Sequence, residues 1–355
     1  MGQSVTHGLL SLSFLVQLKD NDKEETIKNL LYEAKNLGLQ LDYREVLEES
    51  SISVDSSDKF VLSCVSGHKI TTRLMASIAT FFSNHNVNIL RIDNAGKNKF
   101  HAMEIQVSAS ANTDIEKLKK ELVFISNQYN VDMAFLKKNV FRRSKRLIVF
   151  DMDSTLIKAE VIDEMAKTLG VGEKVQKITE EAMNGERSFD EALLERVSFL
   201  KGLKKEQMEQ IAQTIELNPG VETFIKTVKQ LGYKLAVISG GFNYFTNYFK
   251  NKLELDYAFG NELEIKDGVA TGKICGTIIN PTQKALILDM LAQQNNISLE
   301  QVVAIGDGAN DLPMLAKAGL GIAYHAKETV KEKASEQVSH GTMTSILYFL
   351  GINDL

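Results

Sequence analysis

Beyond residue 140, three short apolar runs stop abruptly at polar or glycine positions. They are Leu147-Ile148-Val149-Phe150 before Asp151, Leu235-Ala236-Val237-Ile238 before Ser239, and Val302-Val303-Ala304-Ile305 before Gly306. Continuous apolar runs of this length suit parallel strands covered on both faces. Ligands of open α/β sheets collect beyond the carboxyl ends of such strands. Between the first two runs, Val161 to Leu217 is helical and charge-rich: Met165, Leu169, Val175, Ile178 and Met183 fall at roughly helical spacing. Asn218-Pro219-Gly220 then breaks the helices. A further amphipathic helix runs from Lys284 through Leu288.

The pattern before residue 140 differs. Strands are predicted at Phe60–Val65, Asn88–Ile92, His101–Ser108 and Val131–Phe135, with helices at Thr72–Asn84 and Ile115–Tyr129. This β-α-β-β-α-β order is the ferredoxin-like arrangement. Earlier still come a strand over Leu9–Val16, an acidic, lysine-bearing turn over Lys19–Glu25, a helix over Glu24–Leu37 and a strand-like segment over Gln40–Val46. The fold class is therefore α/β for the larger part, with a helical cap, and α+β for the N-terminal part.

At 355 residues the chain is long enough for two or three domains. A net charge of −5 carries no electrostatic footprint for nucleic acid. The one basic run, Arg142-Arg143-Ser144-Lys145-Arg146, reads as a solvated linker. Cys64 and Cys275 make no disulfide framework and offer no metal spacing, which fits a reducing cytoplasm. The apolar run near the N-terminus lacks a basic flank and a small-residue cleavage site, and is too short to span a bilayer, so no membrane partner is expected.

The chemistry lies where the apolar runs end. In Asp151-Met152-Asp153-Ser154-Thr155, two carboxylates one residue apart repel as anions, so one can stay ionised while its neighbour holds a proton. Gly306-Asp307-Gly308-Ala309-Asn310-Asp311 adds two more acids on a glycine-permitted turn. Four acids so placed call for a hard divalent cation, and carboxylates with phosphate and water favour Mg²⁺. Ser239-Gly240-Gly241 offers a hydroxyl and backbone N–H groups that suit a phosphate. Lys284 supplies a cation for the same anion.

Taken in order, DMDST, ISGG, a lysine and GDGAND resemble the four motifs of the haloacid dehalogenase superfamily, over roughly residues 146 to 325. The closer resemblance is to the phosphoserine phosphatase family, because Glu160, Arg196, Met183 and Phe189 also match. That resemblance implies a Rossmannoid sheet with a helical cap over about 161–218, and Mg²⁺-dependent hydrolysis of O-phospho-L-serine, the last step of serine biosynthesis. It further implies Asp151 as nucleophile, Asp153 as general acid and base, and Lys284, Ser239, Gly240 and Asn310 on the phosphate. Mg²⁺ would be held by Asp151, Asp307 and the Asp153 carbonyl, with Asp311 in the inner or outer shell. Glu160 would take the substrate ammonium, Arg196 its carboxylate, and Met183 and Phe189 would line the lid.

Residues 58–139 resemble an ACT domain, which implies an amino-acid effector. His85-Asn86-Val87-Asn88-Ile89 matches the helix-to-strand passage, while Ser66-Gly67-His68-Lys69 lacks the acidic and proline residues of the usual ligand loop. Residues 1–57 are expected to be a degenerate half of a second such unit, and 140–355 the phosphatase domain. The expected assembly is a cytoplasmic homodimer. Two rival readings stay open: the same chemistry on phosphohomoserine, phosphoglycolate or a nucleotide, and an amino-acid sensor carrying an inactive phosphatase remnant.

Overall fold

The computed structural model describes residues 2–6, 9–13, 23–43, 58–96, 101–183 and 187–353. The chain divides into two compact units, 1–55 and 56–355. In the first, β1 (Gly2–Thr6) pairs antiparallel with β2 (Leu9–Ser13), and α1 spans Lys23–Asn36. The strand Gly2–Thr6 is not expected from the sequence, and residues 14–16 of the expected Leu9–Val16 strand lie outside the described residues. The expected Lys19–Glu25 turn is replaced by helix from Lys23, with 19–22 outside the description. Gln40–Tyr43 form no strand: their side chains are exposed, and no strand among the described residues pairs with them. Residues 44–46 lie outside the description.

In the second unit, β3 (Asp58–Val65), α2 (Thr72–Asn84), β4 (Asn88–Asn94), β5 (Ala102–Ala109), α3 (Ile115–Tyr129) and β6 (Asp132–Lys137) follow the predicted order. The strands form an antiparallel sheet of order β4-β5-β3-β6. Thr71 caps α2 by accepting from Leu74 N, and Asp114 caps α3 by accepting from Lys117 N. Leu74, Ile78 and Phe82 of α2 and Leu118 and Leu122 of α3 bury their apolar stripes against Phe60, Leu62, Ile105 and Phe135.

The larger sheet begins with β7 (Leu147–Phe150). The chain then passes through four cap helices, α4 (Val161–Thr168), α5 (Gly172–Met183), α6 (Phe189–Ser198) and α7 (Lys205–Thr214), and returns through α8 (Val221–Gln230). Next come β8 (Lys234–Phe242), α9 (Asn243–Leu253), β9 (Tyr257–Lys266), β10 (Val269–Cys275), α10 (Pro281–Gln294) and β11 (Val302–Gly306). The chain closes with α11 (Leu312–Lys317), β12 (Leu320–Tyr324), α12 (Glu328–Lys331), β13 (Glu336–Val338) and α13 (Ser345–Phe349). The sheet order is β10-β9-β8-β7-β11-β12-β13, with every pair parallel except β9–β10.

The apolar runs are continuous because both faces of this sheet are covered. Ile148, Phe150, Val237 and Ile305 pack with Phe224 of α8, Phe245 and Phe249 of α9 and the cap's Met165. Leu147, Val149, Ile238 and Ala304 pack with Leu288 and Leu291 of α10 and Met314 and Leu315 of α11. Sheet order brings the ends of β7, β8 and β11 side by side. The cap is tied to the core by two antiparallel linkers: Lys158 N donates to Glu216 O at 3.0 Å, and Asn218 N to Leu156 O at 2.9 Å.

The basic run is a solvated linker only in part: Arg143 and Arg146 are exposed, but two of its cations are not. Arg142 is buried, pairs with Glu104 and donates to Ser63 Oγ at 3.1 Å, between the ferredoxin-like sheet and α13. Lys145 is also buried; its Nζ donates to Glu300 O at 2.6 Å, and burial lowers its pKa to about 8. Arg142 therefore joins the two domains through a buried ion pair with Glu104, while its Nε has no hydrogen-bond partner. Asp132 completes that junction. Its carboxylate accepts from three successive backbone groups, Ser339 N at 2.8 Å, His340 N at 2.9 Å and Gly341 N at 2.7 Å.

Candidate active site

Asp151 leaves β7 with its backbone N–H on Ile305 O at 2.9 Å, so the parallel ladder to β11 delivers it to the sheet's carboxyl edge. Lys284 arrives from the first turn of α10, where Asn280 caps by accepting from Gln283 N at 3.0 Å and Pro281 suits the first helical turn. Wholly buried, Lys284 places Nζ 2.6 Å from Asp151 Oδ1 and 2.7 Å from Asp311 Oδ1. The other Asp311 oxygen accepts from Gly308 N at 3.0 Å. A Cβ at Gly306 would lie 2.5 Å from Asp311 Cγ, so that position admits only glycine without rearrangement.

Burial raises the Asp151 pKa well above the usual carboxylate range; Asp311 adds to this and Lys284 opposes it. Burial, then Asp311, pushes Asp307 up to about 7. Burial also works against the Lys284 charge, but Asp151 and Asp311 outweigh it and the ammonium is held. One ammonium thus faces Asp151, Asp307 and Asp311, whose ligand oxygens lie within 4.8 Å of one another. An all-oxygen donor set under mutual repulsion suits a hard divalent cation such as Mg²⁺, and these three residues are the ones that could hold it.

Asp153 is anchored differently. Its Oδ1 accepts from Val161 N at 2.8 Å, at the start of α4, and its Oδ2 accepts from Ser239 Oγ at 3.1 Å. Burial raises its pKa, while these two donors pull the other way. An upward shift of a carboxyl pKa is the direction that suits general acid work. Ser239 in turn accepts from Gly241 N at 2.8 Å.

Above this centre, Glu160 precedes the first turn of α4 and accepts from Ser154 Oγ at 2.9 Å. Burial, then Asp153, pushes its pKa up to about 8. Ser154 has φ 55°, a left-handed conformation that aims its hydroxyl at Glu160 and costs about 1 kcal/mol. Arg196 of α6 donates to Thr179 Oγ1 and Ala192 O, both at 3.2 Å. Burial lowers its pKa, and Glu160, Asp163 and Asp153 counter that. Among the described residues Arg196 and Glu160 are held by separate partners, Thr179 and Ser154, rather than by each other. Phe189 covers the turn: a Cβ on Gly240 would fall 2.8 Å from its Cζ. Asn310 folds over Gly308, where a Cβ would fall 2.2 Å from its Oδ1. Met183 ends α5, and its side chain lies outside the description.

The structure thus gathers Asp151, Asp153, Ser239, Gly240, Lys284, Asp307 and Asp311 at one sheet edge, with Glu160, Arg196 and Phe189 above. Three residues of the site were missed in the sequence. Thr155 donates to Asp307 Oδ1 at 2.9 Å, Ser154 orients Glu160, and Asn218 Nδ2 donates to Ser154 O and Thr155 O, both at 2.9 Å. The first two stand in DMDST itself and could have been read there; nothing local marks Asn218.

Residues 145–319 match the haloacid dehalogenase-like hydrolase family, and residues 61–136 match the ACT domain. The chain is 37% identical to phosphoserine phosphatase of Streptomyces coelicolor over 353 residues, 99% of this chain and 84% of that one. It is 49% identical to phosphoserine phosphatase of Archaeoglobus fulgidus over 233 residues, 66% of this chain and 68% of that one. The crystal structure of a probable phosphoserine phosphatase from Vibrio cholerae, unliganded, superposes with a TM-score of 0.65 at 36% identity, covering 84% of this chain and 87% of that one. Together with the four acids and the buried lysine at one sheet edge, these likenesses show that the chain belongs to the phosphoserine phosphatase family of haloacid dehalogenase-like hydrolases and carries an ACT domain ahead of its catalytic domain.

Proposed function

We propose that this enzyme hydrolyses O-phospho-L-serine to L-serine and phosphate through an aspartyl-phosphate on Asp151, as the last step of serine biosynthesis in the cytoplasm. The observation that carries the substrate is the pair of Glu160 and Arg196 above the acids. Glu160 can accept from an ammonium group, and Arg196 can offer a planar fork to a carboxylate. Phosphoglycolate and nucleotides lack that zwitterion.

In this reading a carboxylate oxygen of Asp151 attacks phosphorus, splitting one displacement into two easier ones. Asp153 gives its proton to the departing serine oxygen, then takes one from the water that hydrolyses the acyl phosphate. Lys284, the Ser239 hydroxyl, the Gly240 N–H and Asn310 meet the equatorial oxygens, where transition-state charge resides. Mg²⁺, held by Asp151, Asp307 and the Asp153 carbonyl beside Asp311, would neutralise the phosphate. The cap, with Phe189 over Gly240, excludes water and strengthens each of these interactions.

Turnover of phosphoserine, phosphohomoserine, phosphoglycolate and a nucleoside monophosphate, measured side by side with Mg²⁺, tests the reading. Phosphoserine should show the highest kcat/KM. A higher value for phosphoglycolate or the nucleotide would overturn the assignment of Glu160 and Arg196, and no turnover of any of them would favour a sensor.

A further inference from the structure

We propose that Asn261 is a positioning residue for phosphoryl transfer: its buried carboxamide holds the Ser239–Gly241 turn and the start of the Lys284 helix in the arrangement that meets phosphate. This deepens, and rests on, the reading of the site as a phosphatase centre. The parallel ladder between β8 and β9 runs Ala236↔Tyr257, Val237↔Ala258 and Ile238↔Phe259, then resumes only at Phe242↔Asn261. The break leaves Ser239, Gly240 and Gly241 opposite the single residue Gly260, so regular pairing cannot continue there. Asn261, 1% exposed, supplies what the ladder lacks. Its Nδ2 donates to Gly240 O at 2.7 Å, and its Oδ1 accepts from Ile279 N at 2.7 Å. Ile279 immediately precedes Asn280, the cap of the helix that carries Lys284.

The consequence reaches Asp153 through one rigid peptide. The Gly240–Gly241 amide is planar, so holding its carbonyl on Asn261 also fixes the direction of the Gly241 N–H. That N–H occupies an acceptor position of Ser239 Oγ at 2.8 Å, and the same hydroxyl donates to Asp153 Oδ2 at 3.1 Å. Without the Asn261 carboxamide, the peptide is free to turn and the serine hydroxyl loses the partner that points it. The clamp therefore acts on the phosphate cradle and on the acid–base carboxyl, without itself touching substrate. A plain core amide would bear on stability alone.

Asn261→Asp keeps an acceptor for Ile279 N but cannot donate to Gly240 O when ionised; Asn261→Ser is neutral and too short to make either bond. Full-length wild type and both variants are compared by kcat and KM on phosphoserine and on an aryl phosphate, by calorimetric titration with inorganic phosphate, and by thermal unfolding. Misplacement of this size should lower kcat on both substrates by about 10- to 100-fold with KM for phosphoserine within about threefold, and weaken phosphate binding about tenfold. Either variant folding with kcat within about twofold of wild type and unchanged phosphate affinity would overturn the proposal. Failure of both to fold would also overturn it, assigning Asn261 to stability. Wild type acting on the aryl ester but not on phosphoserine would remove the substrate reading and leave the clamp decided by the aryl ester. In an enzyme inactive on both, the phosphate titration decides it.

Discussion

The Thr155 hydroxyl donates to Asp307 Oδ1 at 2.9 Å, joining the segment after β7 to the segment after β11. The hydroxyl holds in place a carboxylate that neighbours Asp151 and Asp311. Thr155→Val preserves shape and removes the donor. The half-saturating Mg²⁺ concentration for activity should rise by about tenfold, the usual range for losing a partner behind a metal ligand. An unchanged Mg²⁺ requirement would separate Thr155 from the metal site.

The metal-free protein should lose stability as pH rises. Asp307 has its folded-state pKa raised to about 7, and Glu160 to about 8. Between the ordinary carboxylate range near ~4 and those values, the folded state binds more protons than the unfolded chain, so unfolding becomes easier with rising pH. The thermal midpoint in chelator should be lower at pH 8 than at pH 5. Mg²⁺ should flatten the dependence, because a bound cation replaces the protons, and Asp307→Asn should flatten part of it without metal. A midpoint that rises with pH in chelator would contradict the electrostatics described for the cluster.

Recognition should separate from chemistry at Arg196. A lysine there keeps the charge and loses the planar fork. Arg196→Lys should lower kcat/KM for phosphoserine by on the order of tenfold to a few hundredfold, from the loss of ~1.5–3 kcal/mol of charged hydrogen bonding. An aryl phosphate lacks the carboxylate and should be hydrolysed almost unchanged. Equal losses on both substrates would place Arg196 in the lid's stability instead.

Asp132 should prove a strong structural link between the ACT domain and the catalytic domain. Three backbone N–H groups converge on its carboxylate at 2.7 to 2.9 Å. Asp132→Ala takes the shared acceptor from those half-buried donors, at a cost of about 3 kcal/mol by the usual scale for charged hydrogen bonds. Urea unfolding measures it, and a loss below about 1 kcal/mol would show that water serves those groups as well.

The parts of the site legible in the sequence are those in which reactive residues follow a buried strand directly. Asp151, Ser239 and Asp307 each stand at or next to the end of an apolar run, and parallel pairing then brings the run ends together. The ferredoxin-like order was legible for a similar reason, since its helices and strands keep their own periods. What stayed hidden depends on partners remote in the chain. Arg142 looks like a surface cation until Glu104 is placed beside it, and Lys145 until Glu300 offers its carbonyl. Asn218 and Asn261 work through backbone carbonyls, which leave no mark on side-chain pattern. Gln40–Tyr43 alternates like a strand but has no pairing edge among the described residues, and alternation alone does not make a sheet.

Acid-quench labelling asks whether Asp151 itself becomes phosphorylated during turnover. Wild type and Asp151→Asn are mixed with phosphoserine labelled in the phosphoryl group and Mg²⁺, stopped in acid within the first turnovers, and digested for mapping. Acid-stable label should appear on the peptide containing Asp151 in wild type and be absent from the variant, which should stay folded and turn over no phosphoserine. Label on another residue, or an Asp151→Asn variant retaining activity within about tenfold of wild type, would contradict an aspartyl-phosphate on Asp151.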